Sequence, residues 1–297
     1  MFRISVICFF VLLLLFCSVN TSLHENEQLK QREHILNWHD NEKYYSIYSS
    51  EALVYKTLSG LQFPQNISAN ILNNQDFIKE LHLILEGDPY LWLLVDKKNS
   101  LPADYIPSDL VRLRNSSYEI TVQNMTLRRI AITGLEEMSV SAKNEGVQLF
   151  VTSAYRSYSH QSQIFEHYVN LHGFDKAVLI SARPGTSQHQ LGLTIDFESA
   201  DNFEKHQQGI INDDNHADYF FETPEGKWLS DNASRFGWSI SYPKDYEEIT
   251  GYSWESWHYR YVGKPLALFI DTYFEGVQQY ALEFIDYYTK QISNIKM

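Results

Sequence analysis

Two segments about sixty residues apart constrain this chain more than any other feature: SQHQLGLTID, which carries His189 and Asp196, and WESWHYRYVG, which carries Glu255 and His258. Two imidazoles and one carboxylate match the three protein ligands of a catalytic zinc, whose fourth position holds a water, and a nearby glutamate suits the role of proton acceptor for that water. Zinc bonds of about 2.0 to 2.2 Å require the two segments to converge. Seven residues of extended chain span up to roughly 25 Å, so the path between His189 and Asp196 has to bend, and Gly192 or a neighbour is the place for a turn. Leu191, Leu193 and Ile195 alternate on one side of an expected strand, which puts Asp196 on the opposite face, beside a cavity. Glu255 and His258 are three apart: a helix or turn brings both to one face, whereas a regular strand would need a bulge to do so.

The chain of 297 residues, 44% hydrophobic, is long enough for one large domain or a catalytic domain with a smaller appendage. Its formal charge of -13 argues against nucleic acid or an anionic membrane surface as partner, since both reward clustered Lys and Arg. After Arg3 an uncharged run from Ile4 to Val19 has the length of an export signal rather than of a bilayer-spanning helix, which takes about 20 residues. Residues 1–20 are therefore expected to be a signal peptide or a retained anchor, and membrane contact is expected only through them. Both cysteines, Cys8 and Cys17, lie inside this run, so the exported part offers no disulfide, thiolate ligand or cysteine nucleophile.

Residues 21–88 have a polar, helical pattern in which Phe77, Leu81, Ile84 and Leu85 recur at helical spacing before Gly87-Asp88-Pro89, and they are expected to form a helical extension. The remaining 89–297 are expected to be the catalytic domain with a closing helix. Within it, YLWLLVDK (Tyr90 to Lys97) and VQLFVTS (Val147 to Ser153) have strand character, and helices are expected near Met125 to Asn144, Tyr158 to Leu171, Lys227 to Gly237 and Leu266 to Ile292. Helices and short strands without regular alternation indicate an α+β fold.

The strings LLVDKKNSLPADYIPSDL, TSAYRSYSHQ, SARPGTSQHQLGLTIDF and WLSDNASRFGWSISYPKDYEEITGYSWESWHYRYVG resemble, in order, the catalytic domain of the VanY-like D-alanyl-D-alanine carboxypeptidases over about residues 90 to 263. The pairing of SxHxxGxxxD with ExWH is specific to that zinc peptidase family, which shares its fold with the signalling domain of Hedgehog. The resemblance implies a short antiparallel sheet flanked by helices, one Zn²⁺ per chain on His189, Asp196 and His258, and Glu255 as catalytic base. It further implies a substrate clamp of Arg156, Gln161 and Ser187. A guanidinium at a strand end suits the arginine's part, because it offers planar bidentate donors to a free terminal carboxylate. Trp257 is placed to wall the site. The family pattern is interrupted at 199–226, which is longer and more acidic than expected.

The substrate so implied is a peptidoglycan stem peptide ending in D-alanine, acted on by an exported monomer in a bacterial cell envelope or periplasm. L,D-carboxypeptidase and peptidoglycan endopeptidase activities share the same centre and remain alternatives. A serine D,D-peptidase would use Ser230-Asp231-Asn232 and Ser241 to Lys244, but these come in the wrong order and Pro243 disfavours the turn that would join serine to lysine. A non-catalytic, zinc-stabilised wall-binding module has no use for a glutamate beside a closed metal shell.

Overall fold

Arg260 shows how far tertiary contacts override local pattern here. Its side chain is 0% exposed, and Nη2 donates to the carbonyls of Tyr90, Leu91 and Leu93 at 3.1, 3.2 and 2.8 Å. These acceptors are spent on a side chain instead of a ladder, so Tyr90 to Lys97 is not the expected strand: a 3-10 turn at Pro89–Leu91, capped by Asp88, leads into irregular chain. The computed structural model describes residues 51–207 and 216–295. The expected leader, the extension up to residue 50 and part of the 199–226 segment lie outside the described residues.

The chain divides into two compact units, one of residues 51–288 and one of 1–50 with 289–297; of the latter only the end of the last helix is described. The first unit opens with α1 (Glu51–Gly60), α2 (Gln65–Leu72) and α3 (Phe77–Leu85). Three short strands follow, β1 (Leu110–Arg112), β2 (Tyr118–Ile120) and β3 (Thr126–Arg128), and then α4 (Arg129–Asn144) and β4 (Leu149–Ser153). Next come α5 (Tyr158–His172), α6 (Phe174–Ile180), β5 (Thr194–Glu198), α7 (Ala200–Gln207), α8 (His216–Glu222) and α9 (Pro224–Asn232). The chain continues through β6 (Trp238–Ile240), α10 (Glu247–Thr250) and β7 (His258–Tyr261). The single closing helix that was expected is two, α11 (Lys264–Phe274) and α12 (Gln278–Ile295), because Glu275 and Gly276 take left-handed conformations between them. Phe77 of α3 stacks on Phe269 of α11 at 4.9 Å and meets Phe284 of α12 edge-on at 5.4 Å. Among the described residues no helix is long and apolar enough to cross a membrane.

The fold is α+β, as expected, around a five-stranded sheet of order β2-β4-β5-β7-β6. Its pairings are antiparallel except β2 with β4, where the chain crosses over through α4 and returns in the same direction. Strand alternation divides the residues of this sheet between two faces. Leu149, Val151, Ile195, Phe197 and Tyr259 join Leu135 and Met138 of α4 in one buried core, where each large apolar side chain contributes roughly 1.5–3 kcal/mol. The opposite face carries Thr194, Asp196, His258 and Arg260, with Asp196 directly across from His258 and Thr194 from Arg260.

Candidate metal centre

Strands β4, β5 and β7 and the 3-10 turn before β5 deliver the centre. A register shift between Val151 and Ser153 on β4 brings Ser153, rather than Thr152, opposite Asp196, as a bulge that re-aims a strand end does. The bend expected between His189 and Asp196 is a 3-10 turn, Gln188–Leu191, stopped by Gly192 at φ 67°. A Cβ on Gly192 would lie 2.9 Å from Leu110 Cδ2, so both the conformation and the space favour glycine. Glu255 and His258 meet through a turn, with His258 N donating to Glu255 O at 3.2 Å, and the strand begins only at His258.

The side chains of His189, Asp196 and His258 converge so that one ligand atom from each lies within 4.8 Å of the others, a grouping that could hold a metal ion. His189 Nε2 is 3.1 Å from Asp196 Oδ2, and His258 Nδ1 is 3.2 Å from both Asp196 Oδ1 and Glu255 Oε2. His189 Nδ1 faces the Ala154 carbonyl at 2.7 Å; a carbonyl only accepts, so that nitrogen carries the hydrogen. Burial holds the His189 pKa down at about 4, against the pull of Asp196, so the ring is neutral at pH 7. Its Nε2 lone pair then points at a carboxylate oxygen with no proton between them, an arrangement that a cation relieves. Asp196 Oδ1 is buried with no aligned hydrogen-bond donor among the described residues. Asp196 keeps its charge: burial disfavours it, but the positive charge of the His258 imidazole beside it holds the carboxyl well below the ordinary range. For His258, burial opposes the proton, yet the carboxylates of Asp196 and Glu255, each 3.2 Å from Nδ1, prevail and raise it to about 9. Two nitrogens and a carboxylate oxygen form a donor set suited to zinc.

Beside the trio lies Arg156, just beyond the end of β4. Its Nη2 donates to Ser153 Oγ at 3.0 Å and reaches Asp196 Oδ2 at 3.5 Å, and its Nη1 donates to Gln161 Oε1 at 2.8 Å. Gln161 is only 1% exposed, and its amide nitrogen is bonded to the Ala182 carbonyl at 2.7 Å and to Ser181 Oγ at 3.3 Å. Its amide is thus committed to bracing Arg156 against the 181–182 segment. Ser187, buried, and Trp257, half-buried, line the same cleft.

Residues that sequence reasoning did not single out complete the site. Tyr242 packs its ring 4.7 Å from His258, and its carbonyl accepts from Glu255 N at 3.0 Å, which fixes the glutamate's backbone. Tyr252 lies behind it at 4.7 Å. Burial, with the charge of Glu255, holds the Tyr242 phenol protonated, well above its usual value. Tyr242 sits in SYPK, the string noted only for its serine and lysine. Ser241 is buried with its hydroxyl on Gln188 Oε1 at 2.7 Å, Lys244 covers Trp254, and Ser230 and Asp231 are exposed on α9. His160 and His167 also line the cleft.

Comparison with known proteins points the same way. The VanY family, described as D-alanyl-D-alanine carboxypeptidase, matches residues 124–264. The protein YodJ of Bacillus subtilis (strain 168), provisionally named a carboxypeptidase, is 41% identical over 195 residues, covering 63% of this chain and 67% of its own. Among solved structures, the LdcB LD-carboxypeptidase is 38% identical with a TM-score of 0.51, covering 62% of this chain and 85% of that one. A mutant of the vancomycin resistance D,D-pentapeptidase VanY, in complex with Zn(II), is 29% identical with a TM-score of 0.50, covering 65% of this chain and 98% of that one.

Proposed function

The chain belongs to the VanY family of D-alanyl-D-alanine carboxypeptidases, and on that footing we propose that it is a zinc peptidase that removes the terminal D-alanine from peptidoglycan stem peptides. The observation that carries this reading is the convergence of His189, Asp196 and His258 with Glu255 and Arg156 in one cleft. His189 through Nε2, Asp196, and His258 through Nδ1 would hold the metal. A zinc ion bound there supplies Lewis acidity, which lets a water lose its proton near neutral pH and polarises a carbonyl.

Glu255, held by its backbone bond to Tyr242, accepts that proton at its carboxylate and returns it to the leaving amine. Arg156 takes the terminal carboxylate of the peptide, while Ser153 and Gln161 keep its guanidinium in plane; Gln161 acts through Arg156 rather than on the peptide. Ser187 and Trp257 border the bound peptide. Neither serine nor cysteine takes part, so no acyl-enzyme forms. Residues 1–20 serve as a signal peptide or anchor, and the compact unit of residues 51–288 that carries the cleft works as a monomer in the cell envelope.

The likeness to an LD-carboxypeptidase favours one second reading, cleavage of a tetrapeptide at its L,D bond. Mass spectrometry of muropeptides after incubation with the zinc-loaded protein decides: loss of D-alanine from pentapeptides supports the first reading, loss from tetrapeptides alone supports the second, and binding without hydrolysis defeats both.

A further inference from the structure

The cleft is larger than the release of alanine requires. It encloses about 540 Å³, a size at which pockets take ligands well beyond one small residue. Away from the catalytic end its wall is made by His160, Gln163, Ile164, His167 and Tyr168 of α5 with Ile180 of α6. The Arg156 guanidinium stands between this stretch and the metal trio, with Nη2 3.5 Å from Asp196 Oδ2 and Nη1 2.8 Å from Gln161 Oε1. From Gln161, α5 runs on to Tyr168, a rise of roughly 10 Å, which matches about three extended peptide residues. With a terminal carboxylate on Arg156 and the scissile bond over the trio, that length of wall lies on the leaving-group side.

We infer that this stretch is a leaving-group subsite for D-residues with long, unbranched, polar side chains, a reading that rests on the proposed carboxypeptidase activity. The leaving residue docks its α-carboxylate on Arg156 and lays its side chain along α5. Ile164 and Ile180 cover the methylene stem, and His160, Gln163, His167 and Tyr168 offer hydrogen bonds to the polar end. The carboxylates of the lining, Asp196 and Glu255, are both at the trio, so a polar or anionic end meets no like charge along the wall. The bond broken is the same amide: water's hydroxyl goes to the carbonyl carbon and its proton to the amine nitrogen of the long residue. That residue can be a free C-terminus, or a branch point whose side chain continues into a second peptide.

Three peptides with a common acyl part test this on the zinc-loaded full chain: one ending in D-alanine, one in D-glutamine, and one in D-glutamine whose side-chain nitrogen carries a second peptide. The expected kcat/KM for D-glutamine is within tenfold of that for D-alanine, and Ile164→Trp lowers the ratio of the two at least tenfold. Because the ratio does not depend on the fraction of folded enzyme, a poorly folding variant still reports, and Ile164→Asn provides a second one. A deficit above tenfold in the parent, or an unchanged ratio in both variants, overturns the subsite. Cleavage of the branched peptide assigns the subsite to cross-linked strands; its sparing assigns it to free residues. D-alanine released while D-glutamine is refused sinks this inference alone, whereas failure with all three sinks the carboxypeptidase reading beneath it.

Discussion

Metal binding to this centre is expected to be a proton exchange. At pH 7 the metal-free site holds a neutral His189, an ionised Asp196 and a protonated His258, the last because the adjacent carboxylates of Asp196 and Glu255 outweigh burial and bring it to about 9. An imidazole must lose its proton to coordinate. Each zinc bound at neutral pH should therefore expel about one proton, from His258, and apparent affinity should rise about tenfold per pH unit until the pH reaches about 9. Between pH 9 and pH 7 that amounts to about 2.7 kcal/mol, or roughly a hundredfold in dissociation constant. The same proton fixes the sign for the metal-free fold. A folded value above the ordinary 6.5 gives stability that is complete below about pH 6.5 and lost as pH rises through about 9, so the metal-free Tm should fall across that window. Calorimetric titration with zinc at pH 7 in two buffers of different ionisation enthalpy counts the proton, and chelator competition from pH 6 to 9 gives the slope. No proton released, with an affinity flat from pH 6 to 8, would refute the charge assignment.

Glu255→Ala should retain zinc yet lose turnover by about 10²- to 10⁴-fold, and it should bind zinc more tightly at pH 7, since one of the two acceptors holding the His258 proton is gone; D-alanine release near the parental rate rules out the base. Arg156→Ala removes charge-assisted hydrogen bonds worth about 1.5–3 kcal/mol, so kcat/KM should drop roughly tenfold to 150-fold while zinc content by atomic absorption stays whole; equal kinetics would mean that the terminal carboxylate docks elsewhere. Gly192→Ala forces a side chain into a φ of 67° with its Cβ 2.9 Å from Leu110, costing about 1–2 kcal/mol; calorimetry should show a lower Tm and a weaker zinc isotherm, because the turn between two ligands is displaced. Gly134→Ala would place a Cβ 2.5 Å from Tyr261 and 2.8 Å from the Phe236 carbonyl, a clash of about 1–3 kcal/mol that should lower Tm without altering zinc stoichiometry.

The approach of His189, Asp196, Glu255 and His258 was legible because each constraint was local. The ligand spacing demanded a bend, and Gly192 supplies it; the alternation of Leu191, Leu193 and Ile195 set the face of Asp196. The α+β class likewise followed from short strands set irregularly among helices. What escaped notice depends on distant partners. The 90–97 run has strand composition, but its carbonyls turn to Arg260, some 170 residues away, and no local pattern records that. The break of the closing helix at Glu275 was hidden because a left-handed non-glycine residue has no strong sequence signal. Tyr242 was invisible since a tyrosine beside a proline looks like ordinary turn material until its ring is found against His258. Gln161 was read as part of the clamp, and no local pattern announces the bonds of its amide to Arg156 and to the Ala182 carbonyl.

The guanidinium sealed beneath the sheet also bears on how far the protein can be trimmed. The match to the family model begins at residue 124, yet all three oxygens that receive Arg260 Nη2 come from residues 90, 91 and 93. Cutting the gene at the family boundary would strand a positive charge in the interior, two residues from His258, at a cost of several kcal/mol. A minimal expressible version therefore has to start upstream of Asp88, inside a region that carries none of the recognisable motifs.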